Sequence, residues 1–114
     1  MSAESSYESG QVDIVAEYKY QTTVESSWWI KNGRFTEFQL VFTSTNQIPS
    51  GTTFATGIPE PVMDGTFSCL GTIAKCTVNH DEYHPNSDGG AIVASVNISA
   101  NTRTVLHGVY IAES

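Results

Sequence analysis

The sequence predicts an all-β protein, an antiparallel β-sandwich or barrel of about eight short strands. Three observations predict it. Apolar residues alternate with polar ones at period two in several segments. Turn-forming Gly, Pro, Asn and Asp recur roughly every eight to twelve residues. The composition favours Ser and Thr, 26 of 114 residues, with Val, Ile and aromatics, while Lys and Arg number only five. Such residues suit a pleated, half-buried surface better than a long helix. No helix is predicted anywhere, and no internal repeat is apparent.

Residues 1–10 read as a polar arm or linker, and residues 11–114 as a single domain, since a chain of this length supports one core. Val12–Tyr20 reads as the first strand, with Val12, Ile14, Ala16, Tyr18 and Tyr20 on one face. Val24–Lys31 and Arg34–Thr43 form a hairpin about Asn32-Gly33, the strongest short signal for a type I′ turn. Thr52–Thr56 makes a short strand between Pro- and Gly-rich turns, and Thr66–Leu70 and Ile73–Asn79 follow. Residues 79–90, NHDEYHPNSDGG, read as a long polar loop. Ala91–Ser99 is a Val- and Ile-rich strand. Val105–Ala112 closes the domain, and both its parities are apolar enough for burial on both faces.

The adjacent tryptophans in WWIKNGRF must point to opposite faces of their strand. A two-residue Asn32-Gly33 turn pairs Lys31 with Arg34, Trp29 with Thr36 and Trp28 with Glu37. Trp29 then shares a face with Phe38, Leu40 and Phe42 and belongs to the core. Trp28 shares a mixed face with Ile30, Phe35, Val41 and Val24 beside Glu37 and Gln39. Such a face fits a subunit interface or an aromatic platform for a sugar, and packing against a loop or subunit is the favoured role of Trp28. One extra turn residue would exchange the two indoles.

The formal charge of −7 and the scattered basic residues exclude a nucleic-acid surface, which requires clustered cations. No segment is long and apolar enough to span a bilayer, and the acidic balance disfavours anionic lipid. The N-terminus has no secretory signal, so Asn97-Ile98-Ser99 is read as a chance glycosylation triplet. Cys69 and Cys76 match no zinc framework. They could close a small disulfide loop, but unbonded thiols are expected in a chain made without export.

No G-x-S-x-G elbow, HExxH or phosphate loop occurs, and an enzyme is not expected. No cofactor is implied. The polar loop supplies the candidate ligand-binding residues His80, Asp81, Glu82, Tyr83, His84 and Asp88, with Asn86 among them, and Trp28 joins them as an aromatic candidate. Their oxygen atoms suit Ca²⁺ chemistry in principle, but the spacing is not that of an EF-hand, and a solvated recognition loop is favoured over a metal site.

Read in order, WWIKNGRFTEFQLVF, IPSGTTFATGIPEP, GGAIVASVNISANT and LHGVYIAES resemble segments of the C-terminal head domains of bacteriophage tail-fibre and baseplate receptor-binding proteins. The resemblance spans roughly residues 24–114 and is best over Trp28–Pro61. It implies a trimeric β-sandwich or barrel in the virion tail, made in the host cytoplasm without a signal peptide. Implied partners are other tail proteins and a host-surface glycan or protein, most simply a saccharide. The family carries no fixed binding or catalytic residues, so no site transfers. A carbohydrate-binding module of a bacterial surface protein or enzyme, and a purely structural tail component, are the alternatives.

Overall fold

The computed structural model describes residues 7–64, 68–71, 75–82, 84 and 89–113. The fold is the expected all-β one, two antiparallel four-stranded sheets packed on a single core. The strands are β1 (Tyr7–Gly10), β2 (Asp13–Ile14), β3 (Thr22–Asn32), β4 (Phe35–Ser44), β5 (Thr53–Pro59), β6 (Ser68–Gly71), β7 (Lys75–His80), β8 (Gly89–Ala94) and β9 (Thr104–Ile111). One sheet is β1-β3-β4-β9 and the other is β6-β7-β8-β5, with β6 also pairing β9 and the two-residue β2 extending β5.

The N-terminal segment departs from expectation. Residues 7–10 are not a free arm: Tyr7 to Gly10 pair with Asn32 to Trp29 of β3. Three residues later, Asp13 and Ile14 pair with Thr56 and Ala55 of β5. One strand therefore crosses from the edge of one sheet to the edge of the other and closes the structure into a ring. The period-two pattern of Val12–Tyr20 does not extend as one strand. It breaks after Ile14 into a single helical turn, α1 (Ala16–Lys19), with no side-chain cap. So short a turn gains little from helix propensity and is held by its neighbours. Val15 N–H donates to the Phe54 carbonyl, and the Thr22 hydroxyl to that of Tyr18.

The β3–β4 hairpin turns one residue later than Asn32-Gly33 predicts. Asn32 pairs with Phe35, which leaves Gly33 and Arg34 as the central residues. Gly33 has φ 66° and Arg34 a negative φ, which fits a type II′ turn with Gly first. From Ser26 to Asn32 every pairing moves by two positions along the partner strand, so the faces are preserved there: Trp29 opposes Phe38, and Trp28 opposes Gln39 rather than Glu37; beyond a bulge between Val24 and Ser26 the pairing moves by only one. β9 also differs from expectation, for only Thr104, Leu106, Gly108 and Tyr110 are buried. Val105, His107, Val109 and Ile111 lie on the outer face. β8 ends at Ala94, earlier than predicted, and Ile98 survives as an isolated bridge to Ile48. Residues 66, 67, 73 and 74 of the two predicted central strands lie outside the described residues.

The chain is built as an internal repeat, which the sequence does not display. The joined β1–β2 strand, β3, β4 and β5 correspond to β6, β7, β8 and β9. In each half the first strand pairs the second and the fourth, and the fourth strand pairs the third strand of the other half. The junction is reciprocal. Ile48 N–H donates to the Ile98 carbonyl at 3.0 Å and Ile98 N–H to that of Ile48 at 2.8 Å. Gly51 N–H donates to Ala94, and Asn101 N–H to Ser44. Gly51 and Asn101 both have positive φ, at 87° and 55°. Over residues 41–52 and 91–102 only Ile and Thr at two matching positions are identical, so the repeat lives in the backbone.

The core holds Phe38, Leu40, Phe42, Phe54, Ile58, Val78, Ile92, Leu106 and Tyr110, all essentially inaccessible to solvent. Phe42 tilts against Phe54 with ring centroids 5.7 Å apart, and Phe38 meets Tyr110 edge-on at 6.1 Å. Burying each such ring stabilises the fold by about 1.5–3 kcal/mol. Cys76 is disulfide-bonded. Cys69, the other cysteine, stands directly opposite it in the register, which corrects the expectation of unbonded thiols. Cross-strand pairing brings the two backbones within disulfide reach, a proximity that spacing alone does not reveal.

Candidate functional site

A cleft lies where the N-terminal strand meets β3 and the end of β5. Its volume is about 450 Å³, and it is lined by Glu8, Trp29, Lys31, Gly57, Ile58, Pro59, Glu60 and Glu113. Alternation along β3 puts Trp29 and Lys31 on one side of that strand. Trp29 packs at the margin of the core while remaining partly accessible. Gly10, directly opposite it, leaves room for the indole: a Cβ there would stand 2.7 Å from three of its ring atoms.

The rim is ionic. Lys31 Nζ lies 3.6 Å from Glu8 Oε2, and the lysine side chain is only 12% exposed. Glu60 sits just beyond β5, where its Oε2 meets His80 Nδ1 at 2.8 Å. Glu113 is placed by its backbone N–H, which donates to the Glu60 carbonyl at 2.8 Å. Glutamates from three separate segments thus line the same cleft as the indole, with one lysine among them. Beneath this rim the Tyr110 hydroxyl donates to the Pro59 carbonyl at 2.6 Å. Burial pushes the phenol well above its ordinary range, so it stays a neutral donor that pins the wall of the cleft.

Among the described residues, the candidates of the polar loop are engaged in separate contacts. His80, at the end of β7, turns toward Glu60, and its backbone N–H donates to Asp64 at 2.7 Å. Asp81 is buried, accepts the His84 N–H at 3.0 Å and meets His84 Nδ1 at 2.9 Å, so this pair ties the loop to itself. Glu82 is exposed. Tyr83, Asn86 and Asp88 lie outside the described residues. His84 also lines a second cleft of about 360 Å³ with Asp13, Ile14, Val15, Ala16, Lys19 and Thr56. Among the described residues no group of three or more His, Cys, Asp or Glu is placed to hold a metal ion.

Trp28 stands on the opposite face of β3, away from the main cleft. Its ring meets His107 of β9 edge-on, with centroids 5.9 Å apart and planes at 81°. His107 Nε2 lies 2.7 Å from Glu37 Oε2, and Nδ1 lies 3.2 Å from Gln39 Oε1. Exposed Phe35 and Val109 continue this face, whereas the bulge between Val24 and Ser26 pairs Val24 with Phe42 on the inner side. The mixed character read from the hairpin is therefore present, with His107 at its centre.

Sequence reasoning did not find Glu8, Lys31, Glu60, Glu113 or His107 as site residues. The rim residues come together only through the closing strand and the C-terminal pairing. The one local signal was the parity of Trp29 and Lys31. Comparison with protein-family models, curated proteins and solved structures finds no match for this chain.

Proposed function

We propose that this chain is a non-enzymatic attachment domain, the head of a bacteriophage tail-fibre or baseplate protein, and that it binds a saccharide on the host surface. The observation that carries the reading is the Trp29 cleft. Its volume of about 450 Å³ is that of a small-ligand site. An indole offers a broad apolar face for the C–H side of a sugar ring, and carboxylates accept hydrogen bonds from its hydroxyls. The phage assignment and the homotrimer rest on the order of sequence segments. Three copies would multiply a weak site into firm attachment.

The test is a glycan array and whole-cell binding with wild type, Trp29→Phe and Glu113→Gln. Saccharide binding that weakens in both variants supports the reading. Absence of binding to every glycan and cell type favours the structural tail component. A monomer by light scattering that still binds glycans favours a carbohydrate-binding module of a surface protein or enzyme.

A further inference from the structure

We infer that the Trp29 cleft selects a saccharide bearing a protonated amine, an inference that rests on the saccharide reading of this site. The cleft combines an indole with an excess of carboxylate. Glu8, Glu60 and Glu113 line it against the single cation Lys31. That lysine is already matched, 3.6 Å from Glu8 and almost covered. Arg34, the next basic residue along the chain, donates its Nε–H to the Ala112 carbonyl at 3.1 Å and is not among the lining residues. Glu8 is thus paired with Lys31 and Glu60 with His80, while Glu113 meets no lysine or arginine other than Lys31 among the lining residues.

This arrangement discriminates by sign. A sialic or uronic acid would bring a carboxylate against others of the same sign in a concave cleft, where they repel. A neutral N-acetylated sugar can use the indole and the hydroxyl contacts but leaves the rim charges unanswered. An ammonium group gains charge-assisted hydrogen bonds to the carboxylates and an attraction to the indole face. His80, on the far side of Glu60, holds that carboxylate in place without entering the lining. Glu8 is positioned by the β1–β3 pairing, and Glu60 and Glu113 together by the pairing of the segments that follow β5 and β9.

The experiment is a tryptophan-fluorescence and calorimetric titration of the full chain. Three tetramers are compared at low and high salt: glucosamine, N-acetylglucosamine and galacturonic acid. The glucosamine tetramer should bind about tenfold more tightly than its acetylated counterpart at low salt, and the advantage should shrink as salt screens it. Glu60→Gln with Glu113→Gln should abolish that preference, so that the glucosamine and acetylated tetramers bind alike at both salt concentrations. Equal or tighter binding of the acetylated or the acidic tetramer overturns the inference and leaves the saccharide reading standing. Failure of all three tetramers, together with a blank glycan array, overturns the saccharide reading itself and this inference with it.

Discussion

Gly10 and Trp29 face each other across the β1–β3 pair so closely that a Cβ on residue 10 would stand 2.7 Å from the indole's Cε2, Cζ2 and Nε1. The contact couples the closing strand to the floor of the cleft. Gly10→Ala should displace the indole, shift its emission and lower stability by about 1–3 kcal/mol, the usual cost of overpacking. Denaturant melts followed by fluorescence check both effects. An unchanged spectrum and midpoint would mean that the ring is not confined.

Trp28 and Trp29 should separate cleanly in function. Trp29→Phe keeps an aromatic ring at the core margin but shrinks the sugar platform, so glycan affinity should fall by about tenfold, some 1.4 kcal/mol. Trp28→Ala removes the ring that abuts His107 on the other face. It should leave glycan affinity within twofold and alter the oligomeric state if that face joins subunits, as multi-angle light scattering will report.

The buried Tyr110 hydroxyl makes a double prediction. Tyr110→Phe removes its bond to the Pro59 carbonyl and should cost about 1–2 kcal/mol near neutral pH. The folded phenol is raised above its ordinary value of 10.0, so its contribution is intact below that value and is lost as pH climbs past it. Wild type should therefore lose about 1.4 kcal/mol per pH unit from this group above that point, and Tyr110→Phe should lack that component. Parallel urea melts at pH 8 and 11 measure the difference.

Cys76 lies at 0% exposure on the inner face of β7, opposite Cys69. Replacing both cysteines with alanine should destabilise the fold by about 2–3 kcal/mol on the chain-entropy estimate for so short a loop. Wild type under strong reductant should show a comparable loss. Equal melting with and without reductant would remove the disulfide from the account of stability.

Strand identity was legible because period-two patterning survives wherever one face is buried, as in Phe38, Leu40 and Phe42. The parity of the two tryptophans was legible even though the turn was misplaced, because the slip was even. Gly33 takes the positive φ as the first turn residue, and Asn32 is the last strand residue, a distinction that the dipeptide alone does not encode. The closing N-terminal strand was illegible because its short, polar residues carry no alternation, and its pairing is dictated by the edges it covers. The cleft was illegible for a related reason. Its rim residues are separated by most of the chain, and no local pattern marks Glu8, Glu60 and Glu113 as neighbours. His107 beside Trp28 likewise depends on β9 pairing with β4.

The exchange of last strands between the two halves carries a kinetic consequence. β5 leaves its own hairpin and finds its long partner only in β8, and β9 inserts between β4 and β6. As the chain emerges from the ribosome, the β3–β4 hairpin must therefore wait, one edge unmatched, until the latest of the described strands arrives. Nearly all the decisive pairings are distant in sequence, so folding should be slow for a domain of this size and should proceed as one late, concerted closure. Neither half should persist as a folded body by itself, whereas the two halves supplied as separate peptides should find each other and assemble.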